Sequence, residues 1–254
     1  MGQSQEAFGA SLTADDLAEY LRAMDAAFDV YAVLGEQPSA EQFYQRALMR
    51  SIGGNARGAI DDLDRTIDLG LDTAEDRYSR AIAWAHQGNL EQAAADYERC
   101  IELNPRHAQA FVNLAILEWQ HRNDRARARR LLERAALADP TLPEAHYNLG
   151  ALLFAQGEIA QAAEAHRRAA ELKPMFAEAV ASWGNALRRL GQLAVALQVV
   201  DDGLRNRPDA DVLWSTKGLV HIGLSQPEAA LAAMNEAVRL APTVMRHRLN
   251  RGAA

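Results

Sequence analysis

Small apolar residues return at fixed distances along most of the chain and predict pairs of packed helices. The period is set by five prolines, each 34 or 35 residues after the last: Pro105, Pro140, Pro174, Pro208 and Pro242. One offset in every period holds a small residue: Ala81, Ala115, Gly150, Gly184 and Gly218. Two more offsets are also small: Ala93, Ala128, Ala162, Ala196 and Ala230, and then Cys100, Ala135, Ala169, Gly203 and Ala237. Since two antiparallel helices approach closely only where their crossing residues are small, each period predicts a helical hairpin.

Short polar segments lie where these hairpins should turn. In Gln87-Gly88-Asn89 and Gln156-Gly157-Glu158, the glycine is placed to end the first helix. The segment Ser225-Gln226-Pro227-Glu228 predicts a capping box that opens the second helix of the last pair. An earlier unit, residues 40–73, shows the same pattern of small and bulky residues, although Leu71 stands where the proline is expected.

The run Ala145-His146-Tyr147-Asn148-Leu149-Gly150, followed by Ala162, His166, Ala169 and Pro174, resembles the tetratricopeptide-repeat family. The resemblance implies an all-α fold, a right-handed α-α superhelix. In-phase units predict about thirteen or fourteen helices and no sheet. We expect six repeats, of which the third has one extra residue in or beside the turn at residues 121–124. The repeats are residues 40–73, 74–107, 108–142, 143–176, 177–210 and 211–244.

Both ends of the chain depart from the repeat, as the ends of a solenoid must. Residues 1–39 form an acidic segment in which an amphipathic helix over residues 13–34 is predicted to cap the array. Thr13 or Ser11 is the expected N-cap, and Gly35 is expected to end the helix. Residues 245–254 form a basic tail that begins another repeat.

In a superhelix of this kind, the first helix of each pair lines the concave groove. Asn113 and Asn148 share one offset, and Asn185 lies about one turn further on in the next repeat. Amides offer a donor and an acceptor to an extended peptide backbone, and tyrosines are common interface anchors. The arrangement is similar to the asparagine ladder of O-linked N-acetylglucosamine transferases. We predict these peptide-binding residues: Tyr44, Tyr78, Asn113, Tyr147, Asn148, Phe154, Asn185 and Arg188.

The same face also carries Ile82, His86 and Ile116. An alternative for the tyrosines is that they cover the neighbouring helix, and an alternative for the asparagines is a hydrogen bond between repeats. Family members that bind a chaperone C-terminus use basic residues early in the first helices. Here those positions are not basic, so binding of that kind is not expected: Glu41, Glu75, Gln109, Glu144, Glu178 and Val212. Arg188 and Arg189 are the only basic side chains found lower in the groove.

Candidate chemistry is sparse, and neither an enzyme nor a bound cofactor or metal is predicted. His166 and His221 occupy core offsets, as does His146, and the single cysteine, Cys100, occupies a small crossing position. The arginines between Arg122 and Arg134 fall on a turn and a second helix. We expect a solvated outer face there, balanced by nearby acids, and a patch for an acidic partner is the alternative.

A net charge of −7 and a pI of about 5.5 argue against nucleic acid as the main partner. No secretory signal or membrane-spanning segment is expected, and the predicted location is the cytoplasm. The predicted partner is a client protein or peptide, held by an adaptor or assembly factor. One alternative is a self-associating scaffold that forms a weak homo-oligomer, because residues 1–76 hold 15 acidic and 5 basic side chains and the remainder holds 19 and 22. Another is a non-catalytic targeting subunit of a separate modifying enzyme.

Overall fold

The computed structural model describes residues 13–244, and this part of the chain consists of helices joined by short turns, with no strand. The all-α prediction is therefore confirmed. Residues 1–12 and the predicted basic tail, residues 245–254, lie outside the described residues. The helices are α1 Ala14–Leu34, α2 Ala40–Ile52, α3 Ala56–Asp68, α4 Ala74–His86, α5 Leu90–Leu103, α6 Ala108–Gln120, α7 Arg125–Ala138, α8 Pro143–Gln156, α9 Ile159–Leu172, α10 Ala177–Arg189, α11 Leu193–Asn206, α12 Asp211–Gly223 and α13 Pro227–Leu240.

Contacts divide the chain into two units, Met1–Leu117 and Glu118–Ala254, and α6 runs from the first into the second. In the first unit α1 packs on α2, and the hairpins α2–α3 and α4–α5 meet through α3 and α4. In the second unit α7 packs on α8, and the hairpins α8–α9, α10–α11 and α12–α13 stack in chain order. After α1, the helices of residues 13–244 alternate as first and second members of six pairs, which begin at or next to the predicted repeat starts.

The small residues of the repeat lie where the helices of a pair cross. The alanines and Cys100 at the three offsets have no exposed surface, and the glycines there are buried. A Cβ atom added to Gly184 would lie 2.7 Å from Val200 Cγ2, and one added to Gly218 would lie 2.6 Å from Met234 Cε. These separations are far below van der Waals contact, so the approach of the helices depends on the missing side chain.

Each hairpin turn contains one residue in the left-handed conformation, which reverses the chain. The residues are Gly54, Gly88, Asn123, Gly157, Gly191 and Ser225. The next backbone N–H donates back across the helix end, as from Glu158 to the Leu153 carbonyl oxygen at 3.0 Å. The turn at residues 121–124 holds four residues instead of three or two, which places the extra residue of the third unit where it was predicted.

The predicted capping box at Ser225 is wrong. Ser225 has a φ of 58°, and it provides the left-handed turn itself, so it is not the N-cap. The N-cap of α13 is Gln226, whose side chain makes no cap hydrogen bond. The glutamine oxygen instead lies 2.7 Å from Nδ1 of His221. The first repeat also departs from the pattern, because Leu71 stands where the other repeats have proline. There the chain turns at Gly70, which follows α3 and has a φ of 91°.

Helix α1 begins in a capping box between Thr13 and Asp16, and Gly35 ends it with a φ of 71°. Phe28 meets Phe43 of α2 edge-on, with ring centroids 5.0 Å apart, and the Tyr31 hydroxyl accepts from Gln42 Nε2 at 2.8 Å. No residue of α1 is buried. An apolar stripe on the helix stays exposed, and it includes Tyr20, Val30, Val33 and Leu34.

Candidate peptide-binding face

The first-helix face is the side that bears the predicted peptide-binding residues, on α2, α4 and α6 and, in the second unit, on α8 and α10. In the first unit a surface pocket of about 290 Å³ opens on this face. It is lined by side chains of α4, α5 and α6: Ile82, Ala85, His86, Tyr97, Asn113, Ile116 and Leu117. Four of these residues, Ile82, His86, Asn113 and Ile116, were predicted from helical spacing to lie on the face. Ala85, Leu117 and Tyr97 of α5 were not.

Asn113 lies at the polar edge of this pocket. Its Nδ2 donates to the hydroxyls of Tyr78 and Tyr97, both at 3.3 Å, so that it joins the second and third helix pairs. Burial raises the pKa of Tyr97 well above its usual range, which keeps that phenol protonated. The Asn113 amide oxygen accepts no hydrogen bond from residues 13–244 and is available to a ligand N–H.

The other two asparagines are held differently, so the three do not form equivalent rungs. Asn148 Nδ2 donates to the Glu144 carbonyl oxygen of its own helix at 2.8 Å. Asn185 Nδ2 donates to Thr216 Oγ1 of the next pair at 3.3 Å, while its Oδ1 is buried without a hydrogen-bond partner in the described structure. Hydrogen bonds between repeats, the alternative considered from the sequence, are therefore present at Asn113 and Asn185.

The tyrosines contact neighbouring helices while keeping part of their surface exposed. Tyr78 packs against Tyr97 and His107, at centroid distances of 5.9 and 4.5 Å. Tyr147 lies 5.6 Å from His166 and 4.8 Å from Phe176. Tyr44 packs against the core formed around Ala47, Ile60 and Leu63. The three rings therefore cover neighbouring helices, which was the alternative considered for the tyrosines. Only the part of each ring that stays exposed is available to a ligand.

At the end of the face in the second unit, Phe154 of α8 lies 5.4 Å from the guanidinium of Arg189 on α10. Arg188 is half-buried, and its Nε is fully buried without a hydrogen-bond partner in the described residues. Burial, and then the charge of Arg189, lowers the pKa of Arg188 from its usual value. The two adjacent cations therefore repel each other, and no described carboxylate pairs with either.

Buried ion pairs between the two helices of a pair were missed by the sequence analysis. Arg46 of α2 binds Asp62 of α3 at 2.6 Å, and Arg80 of α4 binds Asp96 of α5 at 2.6 Å. Both aspartates are at most 3% exposed. The arginines are 34 residues apart and so are the aspartates, a repeat of charge that could have predicted the pairs. In the next pair the equivalent positions hold Leu114 and Leu131, both buried.

The arginine run is balanced by nearby acidic residues, as expected, and one of these acids, Glu118, is buried. Glu118 is 1% exposed, and its Oε1 binds Arg122 at 2.9 Å and Arg127 at 3.0 Å. Arg129 binds Glu133 at 2.9 Å and Glu158 of the following hairpin at 2.7 Å. The buried Glu118 carboxylate must be compensated, because an unpaired buried charge is costly.

The candidate reactive side chains are held in structural positions. His166 is buried, and its Nδ1 has no hydrogen-bond partner among the described residues. His146 is partly exposed and lies against the Pro140 carbonyl oxygen at 3.0 Å, so it is not the core residue expected. Burial raises the pKa of the Cys100 thiol to about 12, which keeps it unreactive. Residues 13–244 contain no cluster of three or more potential metal ligands and no helix that could cross a membrane.

Sequence models of the family named Tetratricopeptide repeat match residues 74–107, 143–176 and 181–244. Together the matches span just over half of the chain, and their first two segments coincide with predicted repeats. The chain therefore belongs to the tetratricopeptide-repeat family, and the helical solenoid is its fold class. Proteins of this class bind other proteins. That every one of the six helix pairs is a repeat of the family remains a prediction.

Solved structures support the same fold at low sequence identity. One is YrrB, described as a TPR protein with an unusual peptide-binding site; it is 22% identical, has a TM-score of 0.60, and the match covers 75% of this chain and 97% of YrrB. PilF of Pseudomonas aeruginosa is 15% identical with a TM-score of 0.70, covering 85% and 97%. PilW, described as a widely conserved type IV pilus biogenesis factor, is 17% identical with a TM-score of 0.69, covering 83% and 97%. No curated protein matches the sequence.

Proposed function

We propose that the chain is a non-catalytic adaptor or assembly factor that binds a segment of a client protein on its first-helix face. The observation that carries the proposal is the pocket in the first unit, in which apolar side chains of α4 and α6 surround a space next to an amide. At about 290 Å³, it is at the lower end of the range for small-molecule pockets and large enough for one bulky side chain.

The pocket offers two kinds of contact to an extended segment. Ile82, Ile116 and Leu117 would contact an apolar side chain, and burying such a side chain gains roughly 1.5–3 kcal/mol. The free oxygen of Asn113 would accept a backbone N–H beside it, which adds specificity for an extended chain. The peptide-binding description of YrrB and the biogenesis role of PilW are consistent with this use of the fold.

Blocking the pocket tests the proposal. Ala85→Phe fills it from the end of α4, and Ala95→Phe places the same side chain on the exposed face of α5 as a matched control. Peptides selected for the wild type from a random display library are titrated into each variant. We expect Ala85→Phe to weaken binding at least 10-fold and Ala95→Phe to leave it unchanged, with circular dichroism confirming the fold. Equal affinities would rule out the pocket as the binding site.

A second candidate, the self-associating scaffold, is favoured by the exposed stripe on α1. Val33 and Leu34 are 86% and 63% exposed, which is unusual for apolar residues on one helix. The partner would be a second copy, attracted because the sequence of residues 245–254 is basic and that of residues 1–39 is acidic. Light scattering would show concentration-dependent growth that Val30→Glu with Leu34→Glu abolishes. A constant mass of one chain at all concentrations would eliminate this candidate.

We also propose that the protein is located in the cytoplasm, and cell fractionation tests this location.

A further inference from the structure

In the second unit, Arg188 and Arg189 of the first-helix face have no carboxylate partner among the described residues, whereas other partly buried arginines do. Arg46, Arg80 and Arg127 each bind a buried carboxylate within the protein. Arg188 has no such partner, although its Nε is fully buried. The C-terminal end of a helix favours basic residues, which accounts for two arginines in the last turn of α10. It does not account for a buried guanidinium nitrogen without an acceptor, because such a nitrogen costs free energy.

The groups around Arg188 include polar atoms that have no hydrogen-bond partner in the described structure. Asn185, Arg188 and Arg189 lie within one turn of α10, and the Phe154 ring lies beside Arg189. The buried Oδ1 of Asn185 has no donor within the described structure. The site therefore offers the uncompensated charge of two adjacent guanidinium groups beside an aromatic surface. An anion with a neighbouring apolar group would compensate this charge and contact the Phe154 ring.

We propose that Arg188 and Arg189 bind the side-chain carboxylate of an acidic residue in the client segment, while Phe154 contacts an apolar residue next to it. This inference rests on the proposed function, and it specifies the partner as an acidic, partly apolar peptide. The recognised carboxylate belongs to a side chain and not to a chain terminus. It differs from chaperone-tail binding, whose basic positions early in the first helices are replaced here by Glu144 and Glu178.

The test uses twelve-residue peptides selected by display against the full chain, then synthesised with an acetylated N-terminus and an amidated C-terminus. Fluorescence anisotropy measures the binding of each peptide and of its Glu→Gln and Asp→Gln versions. We expect acidic residues to be enriched and their neutralisation to weaken binding about 10-fold or more. The Arg188→Gln, Arg189→Gln double variant should bind the acidic peptide more weakly by the same factor. This variant should also bind the acidic peptide and its neutralised version equally well.

Arg130→Gln with Arg134→Gln, on a second helix, is the matched control and should leave binding unchanged. Arg188→Lys should retain part of the preference for acid, and circular dichroism shows whether each variant folds. Binding peptides without acidic enrichment, or an Arg188 and Arg189 variant that binds normally, would overturn the inference while leaving the proposed function in place. Binding restored by a free C-terminus on the neutralised peptide would assign the site to a terminal carboxylate and overturn it too. Recovery of no peptide at all would overturn both proposals.

Discussion

The ring of His166 lies directly over Gly150, so that a Cβ atom at residue 150 would sit 2.7 Å from Nδ1 of the histidine. The contact joins α8 to α9 at the crossing of one hairpin, and the same ring packs against Tyr147 at 5.6 Å. The histidine can be this close only because residue 150 has no side chain. The two residues are therefore expected to depend on each other.

Gly150→Ala should lower the free energy of unfolding by about 1–3 kcal/mol, because the added methyl group forces the His166 ring or the helices to move. Thermal or denaturant unfolding measures the change. In a Gly150→Ala, His166→Ala double variant, the loss should be smaller than the sum of the two single losses, since the methyl group then occupies space left by the ring. Additive losses would show that the clash is not with His166.

Stability should also fall in mild acid because of His166. Burial lowers its pKa from 6.5 to about 4, so the unfolded chain takes up the proton at a higher pH than the folded chain. The stabilisation from the neutral ring is complete above about pH 6.5 and is lost as the pH falls towards 4. Between pH 7 and 5, we expect the wild type to lose about 1–2 kcal/mol more than His166→Phe. His121→Phe, at an exposed turn position, is the control and should keep the wild-type pH dependence.

The fold could be predicted from the sequence because the two helices of a pair approach closely only where their residues are small. Residues such as Gly150 and Ala162 therefore mark the positions at which helices cross. The site was only partly predictable. Helical spacing placed Ile82, Asn113 and Ile116 on one face, but the partner of each asparagine depends on the neighbouring residue in three dimensions. Asn113 meets two tyrosines, whereas Asn148, at the same offset, bonds to its own helix. Side-chain partners of this kind are not set by spacing alone.

The Arg80–Asp96 pair should be replaceable by apolar residues, because the next hairpin already uses leucine at both equivalent positions. Asp96→Ala alone removes a buried carboxylate that binds the partly buried Arg80 and Arg77, and should cost about 3 kcal/mol. Arg80→Leu with Asp96→Leu should be nearly neutral or stabilising, as found for other buried pairs replaced by packed apolar side chains. Chemical denaturation compares the variants. A double variant as unstable as Asp96→Ala would show that the charges themselves are required.

Arg127→Leu should destabilise the protein by about 1–3 kcal/mol, although Arg127 lies on the second helix of its pair. The substitution removes one of two arginines that compensate Glu118, which is 1% exposed. Arg130→Leu changes a neighbouring exposed arginine and serves as the matched control, with an expected change within about 0.5 kcal/mol. Thermal melting distinguishes them, and equal melting temperatures would mean that Arg122 alone compensates the buried carboxylate.

The two asparagines at the same offset should respond differently to alanine. Asn113→Ala removes the donor shared by Tyr78 and Tyr97, so it should cost about 0.5–1.5 kcal/mol of stability. Asn148→Ala removes only a bond within α8, and alanine is the better helix former, so its stability should be unchanged or slightly higher. Denaturant unfolding measures both effects.

The binding of selected peptides provides the second readout for this pair. If the free oxygen of Asn113 accepts a backbone N–H, its loss should weaken a pocket-binding peptide about 2- to 10-fold beyond any unfolding. The affinity must therefore be measured at a temperature where both variants are fully folded. Unchanged affinity in the folded Asn113→Ala variant would make Asn113 a structural link between helix pairs, and the ligand contacts of the pocket would come from its other lining residues.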